Sequence, residues 1–89
     1  MQLNVQRGAS HTGSQRLFEI HNETRTPGQK ILRAVQFTPE GLARTVLQLV
    51  RDGSTVICID QCREKHIKRL ELLEQELPGD IRIHAVVWA

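Results

Sequence analysis

The feature that most constrains this chain is an unbroken run of β-branched and apolar residues inside "STVICID", residues 54–60. A strand with one face in water alternates apolar and polar side chains, whereas a strand covered on both faces has a continuous apolar run. The run therefore predicts a central strand that is buried on both sides.

A helix is predicted immediately before this strand, over residues 38–53. Thr38 is suited to cap free backbone N–H groups, and Pro39 fits the first helical position. Gly53 fits the left-handed position that ends many helices. Apolar residues gather on one arc of this helix, so we expect that arc to pack against the sheet.

A second helix is predicted from about residue 62 to residue 77, with Asp60 as its capping residue and Pro78 and Gly79 as its stop. Residues 80–89 then supply a last strand. The order strand, helix, strand, helix, strand from residue 30 onward indicates two right-handed crossovers and hence three parallel strands.

The N-terminal part predicts further strands. Residues 1–7 alternate apolar and polar side chains, residues 15–23 resume the alternation, and residues 30–37 follow a Pro-Gly turn. The last two are expected to form an antiparallel hairpin. The predicted fold is α/β (α+β): a two-layer, mixed five-stranded sheet in element order βββαβαβ, with two helices packed on one face. This element order is similar to the minimal ribonuclease-H-like topology, which also occurs in small non-catalytic domains.

Length and composition limit the classes of protein. The 89 residues predict a single domain, and 39% hydrophobic and 25% charged residues are ordinary globular values. No apolar run approaches the roughly 20 residues that cross a bilayer, and the N-terminus lacks a signal-peptide pattern. The two cysteines, four positions apart, are expected to be reduced thiols. We expect a cytoplasmic protein with no cofactor, no membrane partner and no evident small-molecule substrate.

Residues 58–66 contain the side chains that could carry chemistry. Cys58, Cys62 and His66, with His84 from the last strand, are the ligand types of a zinc site, but they lack two closely spaced pairs. Alternatively, Cys62 in the first turn of a helix could be a reactive thiolate. The interpretation that we favour is structural, with small buried cysteines and a partly buried histidine and no bound metal.

Four basic residues crowd the start of the second helix: Arg63, Lys65, Lys68 and Arg69. This placement opposes the helix dipole, and a basic patch at a helix N-terminus suits a phosphate or a nucleic acid. The chain has no tyrosine and few other aromatic residues, which disfavours base stacking. Nucleic-acid binding by these four basic residues is the alternative function, with contacts to the phosphate backbone rather than to the bases.

The leading hypothesis is a non-enzymatic interaction module of the regulatory, inhibitor or antitoxin type. Helices on one face would leave the other face of the sheet bare, and the last strand would present apolar groups there. The predicted partner-binding residues alternate along that strand: Arg82, His84, Val86 and Trp88, with Trp88 as the anchor. A protein partner or a homodimer is expected to bind this face or an exposed edge. The alternative is that the N-terminal segment folds across this face, or that the helices lie on opposite faces and bury it.

Catalysis is the remaining hypothesis. A nuclease-like site needs several converging carboxylates, and the sequence offers Asp60 and, more remotely, Glu40, with no acid in the first strand. We expect no catalytic residues.

Overall fold

The computed structural model describes residues 1–9 and 29–88. Within these ranges the elements are β1 (Gln2–Ala9), β2 (Gln29–Arg33), a 3-10 turn (Ala34–Gln36), α1 (Pro39–Arg51), β3 (Val56–Cys62), α2 (Glu64–Glu74) and β4 (Arg82–Trp88). The predicted strand at residues 15–23 and the turn that follows it lie outside the described residues. The α/β class is confirmed, with two helices and one sheet in the described part of the chain.

The described strands form a parallel sheet in the order β1-β4-β3-β2. The prediction of five strands with an antiparallel N-terminal part is wrong for these residues, because the sheet has four strands and β1 runs parallel to β4. Alternation along β1 defines which side chains share a face, but it does not define the neighbouring strand or its direction. The central position of the apolar run is confirmed, since β3 lies between β2 and β4.

One face of this sheet, which we call the helix-side face, carries the main core. Ile57, Ile59, Ile83 and Ala85 are in register across β3 and β4 and share a face. They belong to one buried cluster with apolar residues of both helices: Leu42, Ala43 and Val46 from α1, and Ile67, Leu70 and Leu73 from α2. Each large side chain in this cluster stabilises the fold by about 1.5–3 kcal/mol through burial.

The ends of α1 form as its sequence predicts. The Thr38 hydroxyl accepts a hydrogen bond from the Gly41 backbone N–H at 3.0 Å, and Pro39 is the first helical residue. Gly53 has φ +98°, a conformation that glycine adopts without steric cost. These signals are local, so the short-range chemistry defines both boundaries.

The junction between β3 and α2 differs from its prediction because the strand contains a β-bulge. Ile59 pairs with Ala85 and Cys62 with Val87, so two residues of β3 face only Val86 between these pairs. Gln61, inside the bulge, has φ +56°. The extra residue prolongs the strand. Consequently α2 begins two residues beyond the predicted start and ends at Glu74 rather than near residue 77.

The strand predicted over residues 30–37 is also shorter than expected. β2 ends at Arg33, and the chain then tightens into the 3-10 turn, in which the Phe37 N–H donates to the Ala34 carbonyl at 2.9 Å. Ala34 is fully buried beside the sheet. The turn redirects the chain toward α1 and leaves β2 as an outer strand of the described sheet.

Candidate functional site

The four predicted partner-binding residues share one face, which we call the second face. Period-two alternation along β4 places Arg82, His84, Val86 and Trp88 opposite the helix-side residues Ile83 and Ala85. In the neighbouring strands, Cys58 of β3 and Asn4 of β1 are both in register with His84. The sequence therefore places these side chains on a common face correctly.

Their burial is uneven, and it contradicts the expectation of a bare apolar face. Val86 has no exposed surface, and Cys58 and Asp60 are 2% and 6% exposed. Arg82 is exposed, whereas His84 and Trp88 are half-buried. Val86 cannot contact a partner without rearrangement of the chain around it. A partner-binding role for the four residues stays a prediction.

Trp88 is bound to a buried carboxylate. Its indole Nε1–H donates to Asp60 Oδ1 at 2.9 Å, and the same oxygen accepts the Gln61 backbone N–H at 2.8 Å. The predicted role of Asp60 as the cap of the second helix is wrong, because the bulge keeps Asp60 in β3. A buried carboxylate needs donors such as these, since its transfer from water is otherwise costly. Both contacts lie within the chain.

The predicted cysteine and histidine constellation is divided between the two faces. Cys58 and His84 lie on the second face, whereas Cys62 and His66 are buried on the helix-side face. Two positions four apart in a regular strand share a face, but the extra residue of the bulge turns Cys62 to the opposite side. Among the residues that the structure describes, no group of three or more potential ligands could hold a metal ion.

Burial also opposes thiolate chemistry. It raises the pKa of both Cys58 and Cys62 to about 12, and the nearby Asp60 carboxylate acts in the same direction. The reactive-thiol hypothesis assumed that Cys62 lies in the first helical turn. In the structure Cys62 is the last residue of β3 and donates its thiol hydrogen to the Ile59 carbonyl, with 3.6 Å between Sγ and O.

His66 links the start of α2 to Phe37, the residue before the N-cap of α1. It is 2% exposed, its Nδ1 accepts the Arg63 backbone N–H at 3.0 Å, and its Nε2 lies 3.0 Å from the Phe37 carbonyl oxygen. A neutral ring protonated at Nε2 satisfies both contacts. His66 is more deeply buried than the predicted partly buried histidine, and both of its ring nitrogens have a hydrogen-bond partner.

The basic residues at the start of α2 do not form a uniform patch. Arg63, Lys65 and Lys68 are exposed. Arg69, however, forms a two-pronged ion pair with Glu40 of α1, with Nε–Oε2 at 2.8 Å and Nη2–Oε1 at 3.3 Å. The hydrogen bond from Arg69 lowers the pKa of the Glu40 carboxyl. Arg69 is therefore engaged within the chain.

An acidic residue also lies within this basic group. Glu64, the first residue of α2, accepts two hydrogen bonds from Arg7 of β1 at 2.7 and 3.2 Å. This carboxylate suits the helix N-terminus, where the dipole favours negative charge. The dipole mismatch seen in the sequence is thus offset in part, and the case for an anion site is weaker than the sequence suggests.

The sequence did not reveal that apolar side chains at and after β2 are exposed. Three large hydrophobic side chains are exposed in the described ranges: Ile31 at 43%, Val35 at 64% and Leu72 at 64%. Ile31 lies on the outer strand, and Val35 lies in the turn that follows it. Lys30 and Arg33 flank Ile31 and are exposed. We call Lys30, Ile31, Arg33 and Val35 the β2 edge.

Comparison with known proteins adds no functional assignment, because no family model, curated protein or solved structure matches this chain. Between residues 29 and 88, neither helix has the length and apolar character required to cross a membrane.

Proposed function

We propose that this chain is a non-enzymatic interaction module that docks a protein partner through the β2 edge. The observation that carries the proposal is the exposure of Ile31 on a strand that lies at the edge of the sheet formed by residues 1–9 and 29–88, with Val35 close behind it in the sequence. An outer strand presents backbone N–H and C=O groups to which an extended segment can add, while pockets for its side chains give specificity.

The β2 edge supports this role better than the second face does. On the second face, Val86 is already buried within the chain. The indole N–H of Trp88 is already hydrogen-bonded to Asp60. Ile31 instead keeps much of its surface in water, where covering it would be favourable by about 25 cal/mol per Å². A partner gains more apolar contact at the edge than around Val86.

The chemistry of the remaining candidates favours a binding function over catalysis. The raised pKa values of Cys58 and Cys62 leave little thiolate near neutral pH. Asp60 is engaged with Trp88, so it is poorly placed for metal-assisted hydrolysis. A cytoplasmic location is part of the proposal, since both buried cysteines are free rather than joined in a disulfide.

Site-specific photocrosslinking tests the proposal. A photoreactive amino acid is placed at residue 31 in one chain and at residue 72 in a matched control chain, and each is irradiated in cells of the source organism. Leu72 is a suitable control because it is also exposed and apolar but lies on α2. We expect protease-sensitive, nuclease-resistant adducts from residue 31 only, reduced at least fivefold when Val35→Asn is added.

Other outcomes contradict the proposal in distinguishable ways. Equal adduct yields from residues 31 and 72 would indicate collision rather than docking. Adducts that disappear on nuclease treatment would favour the nucleic-acid alternative, which a titration with oligonucleotides at two salt concentrations would then examine, because phosphate contacts weaken steeply with salt. Absence of any adduct at residue 31 would remove the support for an edge-docking function.

A further inference from the structure

The charges of β2 identify the kind of partner that this edge fits. Lys30 is in register with Ile57 and therefore lies toward the helix-side face, whereas Arg33 is in register with Asp60 and lies toward the second face. Both side chains are exposed. The segment over residues 29–37 contains no acidic residue. A strand that adds to this edge therefore meets a cation on each of its two faces.

A second copy of the chain is poorly suited to this edge. Two antiparallel β2 strands, about 4.8 Å apart, would carry four basic side chains, Lys30 and Arg33 of each copy, and no acidic residue between positions 29 and 37. Like charges on facing strands are destabilising, and lysine on an outer strand is a common device against edge-to-edge association. A second copy therefore supplies no opposite charge for either cation from its own β2.

An acidic segment reverses the sign of these interactions. Glutamate or aspartate on the facing strand would pair with Lys30 on one face and with Arg33 on the other, while an apolar side chain two positions from the second acid would cover Ile31. Opposite charges on facing strands stabilise pairing. The same two cations that reject a second copy therefore favour a partner with the opposite charge.

We infer that the β2 edge binds an extended segment of a different protein that carries an acidic residue on each face of the strand together with apolar residues, and that it disfavours a second copy of this chain. This inference rests on the proposed docking function and adds the chemistry of the partner. It follows from the register of Lys30 and Arg33, from the exposure of Ile31 and from the lack of acids along β2.

Three synthetic peptides test the inference. Each is nine residues long, fluorescein-labelled and built on the same isoleucine and valine positions, with glutamate, glutamine or lysine at two positions three residues apart, so that the two variable side chains lie on opposite faces of the added strand. Fluorescence anisotropy measures their Kd values for the full chain. We expect the glutamate peptide to bind at least tenfold more tightly than the lysine peptide, with the advantage shrinking as salt is raised.

The matched variants separate the effect of charge from non-specific hydrophobic binding. In the double variant Lys30→Glu with Arg33→Glu, the preference should reverse in favour of the lysine peptide. Ile31→Asn should weaken binding of every peptide, whereas Leu72→Asn should leave the Kd values unchanged. Circular dichroism of each variant establishes that it is folded.

The outcomes distinguish the inference from the function on which it rests. Equal affinity for all three peptides, lost in Ile31→Asn, would retain edge docking and overturn the acidic-partner inference. A tighter lysine peptide would do the same. Binding that Ile31→Asn leaves unchanged, or no binding of any peptide, would contradict both the docking function and the inference.

Discussion

At the scale of single residues, the two cysteines show how a strand irregularity decides chemistry. Cys58 and Cys62 have the spacing of a shared face, yet the bulge at Gln61 places them on opposite sides of the sheet. Each thiol is buried, and each has its pKa raised from 9.0 to about 12. They are therefore neutral packing groups near neutral pH.

These raised pKa values predict alkaline destabilisation. Above about pH 9 the unfolded thiols ionise while the folded thiols stay protonated, so the stabilisation is complete below pH 9 and is lost as pH rises toward about 12. Each thiol should reduce the free energy of unfolding by about 1.4 kcal/mol per pH unit within that window. Urea denaturation between pH 8 and about pH 10.5 measures the slope, within the range where ionisation differs between the two states.

The matched control is the double variant Cys58→Ala with Cys62→Ala. It is expected to be less stable at every pH because it leaves small cavities, but its alkaline slope should be shallower than that of the wild type. Identical slopes in the two proteins would show that the thiols ionise equally well when folded.

Trp88 and Asp60 provide a second residue-scale prediction. Removing the indole N–H with Trp88→Phe leaves a buried carboxylate without one of its donors, so we expect a loss of about 1.5–3 kcal/mol in the free energy of unfolding. In the Asp60→Asn background the same change should cost less, because the charge is absent. A double-mutant cycle by urea denaturation measures the coupling. A coupling energy of zero would show that the 2.9 Å hydrogen bond between Trp88 and Asp60 does not stabilise the fold. Trp88 would then again be a candidate anchor for a partner.

At the scale of elements, His66 is the side chain that fixes the start of α2 relative to the chain before α1. His66→Ala removes an acceptor for the Arg63 N–H and a partner for the Phe37 carbonyl, and it also leaves a cavity. We expect a loss of about 3 kcal/mol. His66→Asn, which keeps an acceptor near Arg63, should recover part of this loss.

The neighbouring substitution Lys65→Ala is the control, since Lys65 is exposed on the same helix. It should change the free energy of unfolding by less than about 0.5 kcal/mol. Urea midpoints of the three variants provide the comparison. If His66→Ala and Lys65→Ala were equally mild, the two hydrogen bonds of the buried ring would not stabilise the junction.

The elements that could be predicted from sequence are those whose signals are local. Thr38, Pro39 and Gly53 lie within or next to α1 and define it without reference to distant residues. The direction of β1 could not be predicted, because its partner β4 is about 80 residues away along the chain. The bulge at Gln61 arises from the pairing of β3 with β4, which no short stretch of sequence encodes.

The candidate site was predictable to a similar degree. Alternation correctly placed His84, Val86 and Trp88 on one face, because the period of a strand is fixed by its backbone. The burial of Val86 was not predictable, since it depends on what lies against that face rather than on the strand itself. The exposure of Ile31 was not predicted for the same reason. The sequence of β2 is typical of an apolar strand, and only the strand order shows that β2 lies at the edge of the described sheet.

At the scale of the whole molecule, the basic β2 edge predicts a particular pattern of association. The wild type should remain monomeric at micromolar concentration, because two paired β2 strands would carry four basic side chains with no acidic partner, and lysine on an outer strand disfavours edge-to-edge association. The variant Lys30→Glu with Arg33→Glu should also be monomeric, since all the charges of its paired strands are again alike. A mixture of the two should form a heterodimer, because the paired strands then carry opposite charges.

Sedimentation velocity of each protein and of the mixture measures this pattern. The heterodimer should weaken at high salt and should be absent when both chains also carry Ile31→Asn, whereas Leu72→Asn should have no effect. A wild-type dimer that Ile31→Asn disrupts would mean that the edge accepts a second copy despite its charges. A mixture that behaves as two independent monomers would show that charge at β2 does not control pairing, and the edge would then need another source of specificity.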